Sequence, residues 1–94
     1  MFAIAFDLDW HATSLRHPKS LRQAYHDIER TLGRYDFRRI QQSVYMTEEG
    51  DLTNLFAAIT ALKAMTWFPE CVTDIRGFRV EDWSDFTPLM KSNR

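Results

Sequence analysis

The hydrophobic period of this chain switches from simple alternation to a helical repeat and back, twice over, and few folds accept that succession. Phe2, Ile4, Phe6 and Leu8 share one side of residues 2 to 8, and Ala3, Ala5, Asp7 and Asp9 share the other. This predicts a strand with a greasy face and a small-residue face. A loop with His11, Ser14, His17 and Pro18 follows, after which Leu21, Ala24, Tyr25, Ile28 and Leu32 recur at helical spacing and Gly33 supplies a stop. Tyr35 to Met46 mixes β-formers with arginines and has no helical period, which predicts two short strands, or one kinked strand, broken near Gln41 to Ser43. Gly50 and Asp51 provide a turn and an N-cap for a second helix whose stripe is Leu52, Leu55, Phe56, Ile59 and Leu62, ending around Thr66 to Pro69. Val72 to Val80 reads as the last strand, and the tail from Glu81 to Arg94 keeps Trp83, Phe86 and Leu89.

Strand, helix, two strands, helix, strand is the ferredoxin-like α+β order βαββαβ, and right-handed crossovers then give an antiparallel sheet of order 4-1-3-2 with two helices on one face. With 94 residues, a second core would leave each half too small to stand alone, so residues 1–94 are expected to form one domain. The uncovered sheet face should be the one that carries Ala3, Ala5 and Asp7. An open face beside an apolar tail calls for a covering partner, and a sheet-to-sheet homodimer, with residues 81–94 packed on the other subunit, is the economical solution.

No apolar run is long enough to span a membrane, and Met1 to Phe6 is too short for a signal-peptide core. The single cysteine, Cys71, rules out an intramolecular disulfide framework and agrees with a cytoplasmic location. The net charge of −1 excludes a general cationic coat for nucleic acid, although it hides an asymmetry. Residues 1–46 carry seven Lys/Arg against five Asp/Glu, and residues 47–94 carry five against eight. A local basic surface remains available.

The topology places the end of the first strand beside the starts of the third and fourth, which gathers Asp7, Ser43 and Asp74 at one sheet edge. Two neighbouring carboxylates can hold a divalent cation or divide into an acid and a base. Arg38, Arg39 and Arg76, with Arg16 from the loop, supply guanidinium groups for phosphates. A phosphodiester site follows from these residue types. Each residue also has a plainer role: Asp7 as a turn or cap residue, Ser43 as a bulge residue, Asp74 with Arg76 as a surface pair, Arg38 and Arg39 as guards of an edge strand. Loop histidines are mostly solvated and His26 falls on the polar face of the first helix, so His11, His17 and His26 are not assigned to the chemistry. No phosphate-binding glycine loop, hydrolase elbow or zinc-ligand spacing is present.

The opening MFAIAFDLD, the central RRIQQSVY and above all the closing DIRGFRVEDWSDFT resemble the virulence-associated protein D (VapD) family, across nearly the whole chain. That family is similar in fold to the small CRISPR-associated ferredoxin-like nucleases. The resemblance implies a dimeric endoribonuclease that cuts single-stranded RNA, with a purine preference as an open option. It is toxin-like in some bacteria and in some cases paired with a small antitoxin protein. The first-strand aspartate of the family falls on Asp7, its serine on Ser43 and its aspartate before Ile-Arg on Asp74. Gln42 stands where the family has glycine, and Gly77 where alanine is common. On this reading Asp7 and Asp74 activate or organise the attacking group, Ser43 orients the phosphate, and Arg39 and Arg76 stabilise the growing charge. Attack by the RNA's own 2′-OH requires no cofactor, whereas attack by water points to Mg²⁺ on Asp7. The rival from a different class is a non-catalytic dimeric scaffold that binds nucleic acid or protein through the same open face. A small-ligand regulatory domain is a third reading, since this fold hosts many such modules.

Overall fold

The computed structural model describes residues 1–17 and 19–92. Pro18, assigned to a loop by its sequence, and residues 93 and 94 of the expected tail lie outside the described residues. Strand β1 (Phe2–Leu8) leads into helix α1 (Trp10–Arg16) and the longer α2 (Leu21–Gly33), followed by β2 (Arg38–Gln41) and β3 (Val44–Thr47). Then come α3 (Leu52–Lys63), the single turn α4 (Phe68–Cys71), β4 (Val72–Arg79) and a short terminal α5 (Thr87–Lys91). The sheet runs β2-β3-β1-β4, the expected order read from the other edge, and the pairs β1–β3, β1–β4 and β2–β3 are all antiparallel.

The stretch expected to be a loop after β1 is instead helical because its first turn is capped. The Asp9 carboxylate accepts the Ala12 N–H at 2.9 Å and the Thr13 hydroxyl donates to the Asp9 carbonyl at 2.7 Å. Ser20 and Asp51 cap α2 and α3 in the same way, through the N–H groups of Gln23 and Asn54. Asp51 is the cap anticipated from the Gly-Asp turn.

One layer of helices covers one side of the sheet. Ile4, Phe6 and Tyr45 pack there against Ile28 and Leu32 of α2, Leu55 and Leu62 of α3 and Phe68 of α4. Phe6 stacks on Tyr45 and meets the edge of Phe68, with centroids 6.2 and 5.8 Å apart. Gly77 lets β4 lie close under α3, since a Cβ at that position would stand 3.3 Å from a Leu55 methyl. The other face carries Ala3, Ala5 and Asp7 on β1, opposite Phe78, Arg76 and Asp74 on β4. The tail crosses this second face, because Trp83, Phe86 and Met90 share a shallow concavity with Ile40 and Gln41 of the far edge strand. Trp83, Phe86, Leu89 and Met90 remain exposed there. Among the described residues, no helix is long and apolar enough to cross a membrane.

Candidate active site

Two irregularities at one end of the sheet shape the site. On β4 the register shifts between Asp74, paired with Asp7, and Val72, paired with Leu8, so Thr73 is an extra residue. Its hydroxyl donates to the Asp7 carbonyl at 3.2 Å. On β2 the shift falls between Arg39 and Gln41, so Ile40 and Gln41 together oppose Val44. This bulge turns Gln41 toward the open face. The β2–β3 turn is then held over the end of β1 by the Phe6 N–H, which donates to the Ser43 carbonyl at 3.0 Å.

The result is a cleft of about 340 Å³ bordered by Asp7, Gln41, Gln42, Ser43, Asp74 and Arg76. Asp7 and Asp74 stand directly opposite each other across two antiparallel strands. Such partners have Cβ atoms about 4.5–5.5 Å apart, where like charges repel. The Asp74 carboxylate accepts a hydrogen bond from Arg76 Nε at 3.0 Å and is 48% exposed. The Asp7 carboxylate and the Ser43 hydroxyl have no hydrogen-bond partner among the described residues. An acidic pair only partly neutralised by one guanidinium, beside an uncommitted hydroxyl, suits a substrate that brings phosphate and a cation of its own. The three residues grouped by topology, Asp7, Ser43 and Asp74, thus meet in one cleft with Arg76.

The remaining arginines lie elsewhere. Arg16, on α1, pairs with Glu70 at 3.6 Å. Arg38 pairs with Glu48 at 3.8 Å and stands opposite Met46, toward the other end of the strand. Arg39 stands opposite Tyr45, on the helix-covered side of the sheet, because each strand alternates its faces. It lines a different cleft, formed with Arg22 and His26 of α2. Arg76 alone of the four anticipated phosphate binders borders the Asp7 cleft. Gln41 and Gln42 were not anticipated as cleft residues; the bulge that presents Gln41 leaves no mark in the hydrophobic pattern.

His17 departs furthest from the solvated loop histidine expected, being only 5% exposed. Its Nδ1 accepts backbone N–H groups of Lys19 and Ser20, so Nε2 carries the proton and donates to Asp27 at 2.8 Å. Trp67 packs edge-on at 5.0 Å. Burial raises the Asp27 carboxyl, but hydrogen bonds from His17 and Gln23, with the charge of Arg30, outweigh it and hold the group below its ordinary value. This network joins the end of α1 to α2 and is structural. Tyr45 is fully buried; burial and the nearby Glu29 push its hydroxyl up to about 12, against the pull of Arg39.

Among the described residues no group of three or more His, Cys, Asp or Glu gathers as a metal site. A closed protein cage for a metal is therefore not built here. Two facing carboxylates in an open cleft do fit the way Mg²⁺ is usually held, by one or two carboxylates together with water and substrate phosphate.

Residues 1–87 match the family described as CRISPR associated protein Cas2. The chain is 54% identical over 92 residues to an endoribonuclease VapD homolog of Neisseria gonorrhoeae, covering 98% of this chain and 100% of that one. The endoribonuclease VapD of Haemophilus influenzae is 46% identical over 92 residues, with 98% and 100% covered. That of Dichelobacter nodosus is 40% identical over 91 residues, with 97% and 98% covered. Identity of this extent over whole chains goes with the strand order and the Asp7 cleft described above, and the chain belongs to the VapD family within the Cas2-type fold.

Proposed function

We propose that this protein is an endoribonuclease that cleaves single-stranded RNA in the cleft between β1, β4 and the β2–β3 turn. The observation that carries the site assignment is the Asp7–Asp74 pair. Two carboxylates opposed across adjacent strands oppose folding, and one has no partner among the described residues. A sequence keeps such an arrangement most readily where it does chemistry. The relatives' names supply the reaction class, RNA cleavage.

Arg76, oriented by Asp74, meets the scissile phosphate and stabilises the negative charge that grows on its non-bridging oxygens. Ser43, on a turn anchored to β1, donates its hydroxyl to the same phosphate. Asp7 accepts the proton of the attacking oxygen, so that the new P–O bond forms as the bond to the leaving oxygen breaks, and a proton from solvent completes the leaving alcohol. Asp7 and Asp74 are also the residues that would hold a Mg²⁺, which when bound supplies Lewis-acid stabilisation of the phosphate.

Cleavage of defined purine-rich and pyrimidine-rich single strands, with Mg²⁺ or with EDTA, tests this reading. Linear phosphate ends, lost in EDTA, are the expected products. Full-rate cleavage in EDTA that leaves 2′,3′-cyclic phosphates overturns the magnesium part and makes the 2′-OH the attacker. Absence of cleavage under every condition overturns the enzymatic reading in favour of a binding scaffold. A faster cut after purines supports the preference that family membership suggests.

A second copy of the chain completes the assembly in this proposal. The exposed Trp83, Phe86, Leu89 and Met90, together with Phe78 on the open face, support a homodimer. A stable monomer by light scattering would contradict it. A cytoplasmic location agrees with the free, buried Cys71. A small antitoxin protein as partner is a further part of the proposal, supported by membership of the VapD family; co-expression that leaves RNA cleavage and growth unchanged would remove it.

A further inference from the structure

On the helix-covered side, a second cleft of about 460 Å³ lies between α2 and β2. Arg22 and His26 of α2 and Arg39 of β2 converge on it, with Tyr25 and Glu29. Unlike Arg16, Arg30, Arg38 and Arg76, neither Arg22 nor Arg39 has an ion pair among the described residues. Two guanidiniums in one cleft against a single carboxylate, Glu29, leave an excess of positive charge that an anion would relieve. An unsatisfied buried group also acts on residues of the cleft. The Tyr45 hydroxyl is fully buried with no well-formed hydrogen bond, and it interacts electrostatically with Glu29, Arg39 and Tyr25, all of which line the cleft. Buried hydroxyls are rarely left so.

Gln42 borders both this cleft and the Asp7 cleft, so the β2–β3 turn is the ridge between them. An extended polyanion leaving one cleft over that ridge enters the other. We propose that the Arg22–Arg39 cleft binds a backbone phosphate of the same RNA strand that is cut at Asp7, on the far side of Gln42 from the scissile bond. The inference rests on the ribonuclease reading. It gives the enzyme a reason to prefer strands that extend beyond the cut, and it moves Arg39 from charge stabilisation at the cut to grip at a distance.

Substrate length separates the two ideas. A dinucleotide occupies only the Asp7 cleft, whereas a 12-mer reaches both. Arg22→Gln should lower kcat/KM on the 12-mer about fivefold, chiefly through KM, and leave the dinucleotide unaffected, because a guanidinium on a remote phosphate contributes binding and not bond cleavage. The slope of log affinity against log salt for the 12-mer should become shallower by about 0.7, the change expected when the protein neutralises one phosphate fewer on a single strand. Arg39→Gln should weaken the 12-mer in the same direction. Equal effects of Arg22→Gln on both substrates, or none on either, overturn the inference and leave the ribonuclease standing. Should the wild type cut neither substrate, the ribonuclease reading fails, and anisotropy binding of the 12-mer to Asp7→Asn, with and without Arg22→Gln, still decides. Unchanged affinity and salt slope overturn the second cleft, and a fivefold loss supports it.

Discussion

Replacing Asp7 by asparagine should abolish function and raise stability at once. Asp7 and Asp74 are directly opposed in the β1–β4 ladder, and side chains in that relation lie about 5 Å apart. At that separation two unit charges in water repel by about 0.8 kcal/mol, and more where the strands exclude solvent. Arg76 on Asp74 offsets part of this, while the exposure of the site keeps the rest modest. Removing one charge with an isosteric amide should therefore stabilise the fold by about 0.2–1 kcal/mol, the range for cross-strand pairs. In a domain of this size that raises the melting temperature by about 1–8 °C. Thermal melts of wild type and Asp7→Asn at neutral pH and low salt provide the assay. The gain should fade at about 1 M salt, where the screening length is about 3 Å. Millimolar Mg²⁺ should raise the melting temperature of the wild type but not of the variant. A melting temperature that falls on substitution, or that rises equally at all salt concentrations, would refute the charge-pair account.

Two further outcomes concern the core. Asp27→Ala leaves the buried His17 Nε2–H without an acceptor and should cost about 1–3 kcal/mol in urea unfolding at pH 7. Because the folded Asp27 carboxyl titrates below the ordinary value of 3.8, its share of the stability is complete above that pH. The gap between wild type and variant should therefore close as pH falls through the folded pKa, and a gap that closes with rising pH would contradict the assignment. Tyr45→Phe removes a buried hydroxyl that has no well-formed partner, so it should leave stability unchanged or raise it by up to about 1 kcal/mol. A destabilisation above about 1 kcal/mol would mean that Arg39 closes a hydrogen bond there.

The sequence carries the layer architecture openly, because alternation in residues 2 to 8 and the stripe of α2 are burial patterns that the sheet and helix satisfy, whereas in α3 Leu55 and Leu62 of the expected stripe are buried, Ile59 is partly buried, and Leu52 and Phe56 stand exposed. The strand order followed from chirality and not from any single residue. Helix α1 was hidden for a different reason. It is short, its only buried residue is Thr13, and its cap at Asp9 shares a position with the strand-end carboxylates. The Asp7–Ser43–Asp74 grouping could be read because antiparallel neighbours fix which strand ends adjoin. The placement of Arg39 could not, since a one-residue bulge at Ile40 and Gln41 decides which side chains of β2 face the cleft. His17 and Asp27 gave no signal: ten residues separate them, and only the fold makes them partners.

The most direct measurement is a time course on a defined single-stranded RNA with Mg²⁺, run side by side with wild-type protein and the folded Asp7→Asn variant. The account predicts cleavage by the wild type and, from a variant at least as stable, no cleavage above background. Equal cleavage by both would place the chemistry outside the Asp7 cleft and contradict the account.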